Sequence, residues 1–435
     1  QLKRTASRRN LLHATRCGWM WRLPCMAQSV RQVPVPAKQR LQEGRGRFAP
    51  ADLDDLVAEL REAGDFQRPA VCTLAINAYG RQEKWCKSLS LLVEMRRSSV
   101  KPDVIAYSAA IGACAKGEAW LVALGLLTEM QGQDLAPNVI TYNAAISAFE
   151  KGGLWRHALS LFMEVQQNTL KPDVITYSTA ISACAKDGKW EQALGLLIVM
   201  QQHRHTPNVI TCNAAINACE KGEEWHRALD LLTELCDLDL EPDVISYTAL
   251  ISACAKGERW QQAFILLAQM EKNSIQAERT ICNAAISACR SGGLWRHALS
   301  LLGQMRSSGL EPDMITYSTG VSVCEQSGQW QLAIALLAEA QRCCLQLDMI
   351  TYSATISACE KGCKWQQALS LLGEMQQKSL EPGLIAYNSA ISACEKGKNW
   401  RRALALLRET QRTRLEPNVI TYNAVISACE KGKEW

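Results

Sequence analysis

Small polar side chains recur in this chain at steps of 35 residues, and they are the residues best equipped for chemistry. One series reads Thr73, Ser108, Asn143, Ser178, Asn213, Thr248, Asn283, Ser318, Ser353, Asn388 and Asn423. A second, thirty residues behind it, reads Asp103, Asn138, Asp173, Asn208, Asp243, Glu278, Asp313, Asp348, Gly383 and Asn418. Packing alone would not choose this alphabet. Asn presents a donor and an acceptor, Asp only acceptors, and Ser or Thr a rotatable hydroxyl, which is the set required to read the Watson–Crick edge of a base. Eight residues beyond the first series stand cations: Arg81, Lys116, Lys151, Lys186, Lys221, Lys256, Lys361, Lys396 and Lys431, with Ser291 and Gln326 as departures. Residues spaced by fours share a helix face. One cation per unit is a ladder able to follow a phosphate backbone.

Each series also has a plainer role. Asp, Asn, Ser and Thr before a helix commonly cap its free amides, so the second series reads equally well as helix caps, and both roles are compatible. A lysine near a helix C-terminus complements the helix dipole. Capping is not open to the first series, one turn into its helix, where a solvated face is the alternative.

The elements that position these residues follow from a third series. Eleven of the thirteen tryptophans, Trp85, Trp120, Trp155, Trp190, Trp225, Trp260, Trp295, Trp330, Trp365, Trp400 and Trp435, are each 35 residues apart. An uninterrupted period of this length marks a solenoid of stacked supersecondary units. Units begun after the Pro-Asp or Pro-Asn pairs give ten repeats over 69–418 and a truncated eleventh over 419–435, together 367 of 435 residues. In the unit 174–208, Tyr177, Ile181, Cys184 and Ala185 have helical spacing, and after a Gly-containing turn Trp190, Ala193, Leu194, Leu196, Leu197 and Met200 repeat at three- and four-residue steps. Two amphipathic helices per unit predict an all-α fold, a right-handed α-solenoid. Alanines such as Ala193 stand where the helices must approach closely. Leu53, Leu56, Val57 and Leu60 repeat the second-helix pattern, so 49–68 is expected to be a degenerate capping half-repeat.

Composition narrows the function. Residues 1–48 hold eleven Lys and Arg against Glu43 alone, a balance of +10, while the whole chain is only +5. The remaining 387 residues are therefore net −5, and any positive charge offered to a nucleic acid must be local. The segment 1–48 reads as basic, disordered and transit-peptide-like, with its poverty in serine leaning toward mitochondria over plastids; a basic arm touching RNA is the alternative. No apolar run is long enough to cross a bilayer. The nineteen cysteines form no CxxC pair and lie in a long chain, so they read as reduced, with no metal site. Cys359 and Cys363 come closest to ligand spacing. No cofactor is expected.

The unit "VITYNAAISACEKG…W..AL.LL.EM…L.P(D/N)", as at 139–173 and from Val419 onward, closely resembles the pentatricopeptide repeat. The resemblance implies an α-solenoid that binds single-stranded RNA in organelles, one base per repeat, and acts in RNA processing, stability, editing or translation. It assigns base reading to the first two series, and a wedge between bases to the apolar second place of each unit, Ile105, Ile140, Ile175, Ile210, Ile245, Ile315, Ile350, Ile385 and Ile420. Ala70 and Thr280 depart there. Without the resemblance these isoleucines read as ordinary core. The family's pairing preferences imply, from the amino end, G, A, U, A, U, an unassigned base at Thr248 with Glu278, U, G, an unassigned base at Ser353 with Gly383, and C or U. The expected protein is a monomer with no catalytic centre of its own, able to recruit RNA-processing proteins. Gln1 and Trp435 both look like truncation points, which leaves a catalytic domain beyond residue 435 open. The alternative is a helical scaffold for protein partners. Base stacking on the tryptophans is set aside, because they open the outer helix and read as packing residues.

Overall fold

The structure, a computed structural model, describes residues 50–63, 66, 68–98, 100–168, 170–413 and 415–432. The basic segment 1–48 and Trp435 lie outside the described residues. Among the described residues there are 22 helices and no strand. Helix α1 (Pro50–Glu62) comes first, and ten helix pairs follow, from α2 (Pro69–Arg81) and α3 (Trp85–Arg97) to α20 (Leu384–Lys396) and α21 (Trp400–Arg412). Helix α22 (Val419–Lys431) closes the series. Every helix has 13 residues and is about 20 Å long. Three-residue turns within a pair and six-residue connections between pairs complete the period.

Local chemistry sets these lengths. The first helix of a pair starts on a cap: the Asp173 carboxylate accepts the Thr176 amide at 2.8 Å, and the Asp103 carboxylate accepts the Ala106 amide at 2.8 Å. It ends in a turn whose second residue is left-handed, such as Gly188 (φ 65°) or Glu223 (φ 61°). The turn carries a glycine for a second reason. At Gly257 an added Cβ would sit 2.2 Å from Trp225 Cδ1, and at Gly117 2.0 Å from Trp85 Cδ1. Trp85, Trp120, Trp190, Trp225, Trp260, Trp330, Trp365 and Trp400 thus pack, half-buried, against the turn glycine of the next pair, and several tryptophans carry a cation over the ring, as Trp225 does with Arg259 at 4.8 Å. The tryptophans are packing residues.

The core is a repeating seam. Tyr177, Ala180, Ile181, Ala183 and Cys184 of one first helix pack with Ala193, Leu196, Leu197 and Met200 of its partner, all buried. Burial pushes the Cys184 thiol up to about 11 and the Cys219 thiol to about 12, so these cysteines are inert packing groups. The tyrosine hydroxyls are tied to the outer layer: Tyr142 donates to Glu164 at 2.9 Å and Tyr352 to Glu374 at 2.9 Å. In α1, Leu53, Leu56, Val57 and Leu60 are buried, and Asp54 accepts the Tyr79 hydroxyl at 2.7 Å.

Curvature follows from which helices touch. Each first helix packs on the first helices before and after it, whereas consecutive second helices meet mainly through long side chains, such as Gln341 to Glu374 at 2.7 Å. A closely packed layer beside a splayed one must bend toward the packed side. The first helices therefore line the inner, concave surface.

Candidate nucleic-acid interface

The inner surface carries the isoleucine row that the helical pattern alone assigned to the core. Ile105, Ile140, Ile175, Ile210, Ile245, Ile315, Ile350, Ile385 and Ile420 are between 56% and 72% exposed. Their neighbours two places along, such as Tyr177 and Tyr352, take the inward position and are buried, except for the exposed Tyr422 of the last helix. Single exposed apolar residues are unremarkable. Nine at the same place of a curved inner surface form a regular apolar row that the described residues leave uncovered.

The two polar series flank that row at the seams between units. The second series caps, as expected: Asp173, Asp243, Asp313 and Asn418 each form a capping box with the hydroxyl residue three places on. Glu278 and Gly383 make no side-chain cap. The first series is not the open, solvated face considered as its alternative. Thr73, Ser108 and Asn213 are buried, Asn143, Ser178, Thr248, Asn283, Ser318, Ser353 and Asn388 are half-buried, and Asn423 is exposed. The next first helix closes over them.

Burial brings the two series into contact. The amide Nδ2 of Asn143 donates to Asp173 Oδ1 at 3.1 Å, that of Asn213 to Asp243 at 3.0 Å, and that of Asn283 to Asp313 at 3.4 Å. Where the first member is a hydroxyl it bonds back into its own helix, Ser108 to the Val104 carbonyl at 2.7 Å and Thr248 to the Val244 carbonyl at 2.7 Å. Asparagines of the first series thus bond to second-series residues thirty places on. Burial alone would raise the Asp173 carboxyl. The Thr176 amide and hydroxyl and the Asn143 amide outweigh it and hold the group below the usual carboxylate range; Asp243 and Asp313 are lowered in the same way. Each of these three pairs presents a charged acceptor beside an amide donor.

The cation ladder is present but uneven. Arg81 and all eight lysines are exposed at the ends of first helices. Four of them lie on carboxylates of the preceding unit: Lys256 on Glu220 at 3.1 Å, Lys361 on Glu325 at 3.3 Å, Lys396 on Glu360 at 3.1 Å and Lys431 on Glu395 at 2.8 Å. Among the described residues, Lys116, Lys151, Lys186 and Lys221 have no carboxylate within 4 Å; Lys221 reaches the Lys186 carbonyl at 3.0 Å. Free positive charge is concentrated in the amino-terminal half of the ladder. Among the described residues no helix is long and apolar enough to cross a membrane, and no group of three or more His, Cys, Asp or Glu could hold a metal.

The sequence reading gave no role to the third place of each unit, filled by Thr141, Thr176, Thr211, Ser246, Thr316, Thr351 and Thr421. These hydroxyls are buried at the seams, each beside a polar pair of the preceding unit. Their recurrence 33 residues after the first polar series was the available signal.

Comparison with known proteins agrees with this architecture. The PPR repeat family matches residues 137–186, 172–221, 207–256 and 382–431. The pentatricopeptide repeat domain matches 90–152, 265–327 and 335–397, and a further PPR repeat match covers 245–275. Together these matches cover well over half of the chain. No curated protein matches the chain. Among solved structures, the pentatricopeptide repeat protein PPR10 in complex with an 18-nt psaJ RNA element is 18% identical, with a TM-score of 0.65 over 91% of this chain. PPR10 from maize is 21% identical, with a TM-score of 0.51 over 93% of this chain. The chain spans 64% and 65% of the lengths of those two.

Proposed function

The chain belongs to the pentatricopeptide repeat family, and from that premise we propose that it binds single-stranded RNA, one nucleotide per unit, selecting bases through the paired polar series. The observation that carries this reading is the row of nine exposed isoleucines on the inner surface, set among the polar residues of the seams. An apolar side chain held in water gains by covering the face of a base, and every base has such a face. The polar pair beside it meets the base edge. An Asn amide donor next to an Asp acceptor complements an edge that alternates acceptor and donor, as uracil does. The similar fold of PPR10, a protein solved with an RNA element, supports the same reading.

The base-reading pairs are Thr73 with Asp103, Ser108 with Asn138, Asn143 with Asp173, Ser178 with Asn208, Asn213 with Asp243, Asn283 with Asp313, Ser318 with Asp348 and Asn388 with Asn418. In that order they select G, A, U, A, U, U, G and a pyrimidine. Thr248 with Glu278 and Ser353 with Gly383 lie between them as tolerant units. Lys116, Lys151, Lys186 and Lys221 supply most of the phosphate contact. The biological setting that fits is organellar RNA processing, stability, editing or translation, with the chain acting as a monomer that recruits processing proteins.

The test is Asn143→Ser. Binding of RNAs that vary only at the third nucleotide should move from U toward G. An unchanged preference in a folded variant contradicts the assignment.

A further inference from the structure

We propose that the third-place hydroxyl of each unit is a positioning residue for base selection by the unit before it, and that its absence, as much as the odd polar pair, is what makes a unit tolerant. This rests on the RNA-reading function proposed above. Thr316 shows the arrangement. Its Oγ1 accepts the Asp313 backbone amide at 3.2 Å and faces Asn283 Oδ1 at 2.8 Å and Asp313 Oδ1 at 2.8 Å. With its lone pair engaged by the amide, the hydroxyl turns its one proton to those two oxygens. The Asn283 amide is thereby held with Oδ1 toward Thr316 and Nδ2 toward Asp313. What remains for a base is the second Nδ2 proton of Asn283, beside the outer oxygen of Asp313, which faces Arg279 at 3.6 Å.

The same three-way contact recurs on different side chains. Ser246 lies 2.5 Å from Asn213 Oδ1 and 2.9 Å from Asp243 Oδ1, and Thr421 lies 2.6 Å from Asn388 Oδ1 and 3.0 Å from Asn418 Oδ1. With serine in the first series, Thr141 meets Ser108 at 2.7 Å and Asn138 Oδ1 at 2.9 Å, and Thr211 meets Ser178 at 2.7 Å and Asn208 Oδ1 at 2.8 Å. At the Asn143 seam the link is missing: Thr176 turns to Asp173, and Asn143 Oδ1 is buried without a partner.

Four units carry no hydroxyl at the third place: Val71, Ala106, Ile281 and Ala386. Two of these, Ile281 and Ala386, follow the pairs Thr248 with Glu278 and Ser353 with Gly383, whose second members also fail to cap. There the first-series hydroxyls bond only to carbonyls of their own helix, Thr248 to Val244 and Ser353 to Met349, each at 2.7 Å. At these two seams loss of the second-series cap and loss of the third-place hydroxyl thus coincide, whereas Ala106 follows Asp103, which keeps its cap, so the unit of Thr73 should select G only weakly. A capping role alone accounts for the bond from Thr316 to Asp313 but not for the one to Asn283.

The experiment measures affinities for four RNAs that differ only at the seventh nucleotide, for wild type, Thr316→Val and Thr316→Ser, with thermal unfolding of each. Wild type should prefer U. Thr316→Val should reduce that preference about fivefold, the effect of one lost hydrogen bond, with the preference for U at the fifth nucleotide intact, and Thr316→Ser should restore it because Ser246 occupies this place naturally. Equal weakening for all four RNAs, or a preference unchanged by Thr316→Val, overturns the proposal. A wild type without preference at the seventh nucleotide overturns the base-reading function itself, and this inference with it. Gly383→Asp with and without Ala386→Thr, read at the ninth nucleotide, decides the matter if Thr316→Val does not fold. The double variant should prefer G more strongly than Gly383→Asp alone, and equal discrimination overturns the proposal.

Discussion

Replacing Ile175 by alanine separates binding from folding. Ile175 is 62% exposed in the free protein. Full burial of an isoleucine is worth about 1.5–3 kcal/mol, so covering the exposed part with a base contributes about 1–2 kcal/mol, most of which the Ile175→Ala change removes. At 1.4 kcal/mol per factor of ten, the Kd for a matched RNA should rise about five- to thirtyfold. Folding should hardly change, because a substitution at an exposed helical site lies within about 0.5 kcal/mol. Fluorescence anisotropy with a labelled RNA of one nucleotide per unit reads the first quantity, and urea denaturation reads the second. A core isoleucine would behave in the opposite way, costing about 2–5 kcal/mol of stability on truncation. An unchanged Kd in a folded Ile175→Ala protein refutes the wedge, and a large loss of stability refutes the placement of the row.

Gly257→Ala brings a methyl group to 2.2 Å from Trp225 Cδ1, so the tryptophan must shift and the array should lose about 1–3 kcal/mol in thermal unfolding; an unchanged Tm contradicts the packing role of the tryptophans. Charge neutralisation should be position-dependent. Lys→Gln at Lys116, Lys151 and Lys221 together should lower the salt slope of RNA binding by about 2, at about 0.7 for each single-strand phosphate contact. The same change at Lys361, Lys396 and Lys431 should lower it less, because each already has a carboxylate between 2.8 and 3.3 Å away. Equal effects of the two sets would show that these ion pairs open on binding.

The helical architecture was legible because the tryptophan step and the apolar spacing describe one unit completely. The second helix expected from Trp190 runs from Trp190 to Gln202, and the first helix of that unit runs from Val174 to Lys186. Exposure of the isoleucine row was not legible from pattern alone. Ile175 and Tyr177 are both apolar at the start of one helix, and only the stacking of neighbouring first helices decides that tyrosine turns inward and isoleucine outward. Contacts between units were hidden for a related reason. The partner of Asn283 is Thr316, and that of Lys396 is Glu360, 33 and 36 residues away, so neither is visible within a unit. Lysines identified as a uniform ladder therefore divide into free and paired sets.

Selection of bound sequences from a random RNA pool by the wild-type chain tests the central claim most directly. The account predicts enrichment, from 5′ to 3′, of a weakly selected G, then A-U-A-U, one unselected base, U-G, a second unselected base and a pyrimidine. A pool that returns no motif, or one whose selected positions do not fall in register with the units from 69 to 418, contradicts it.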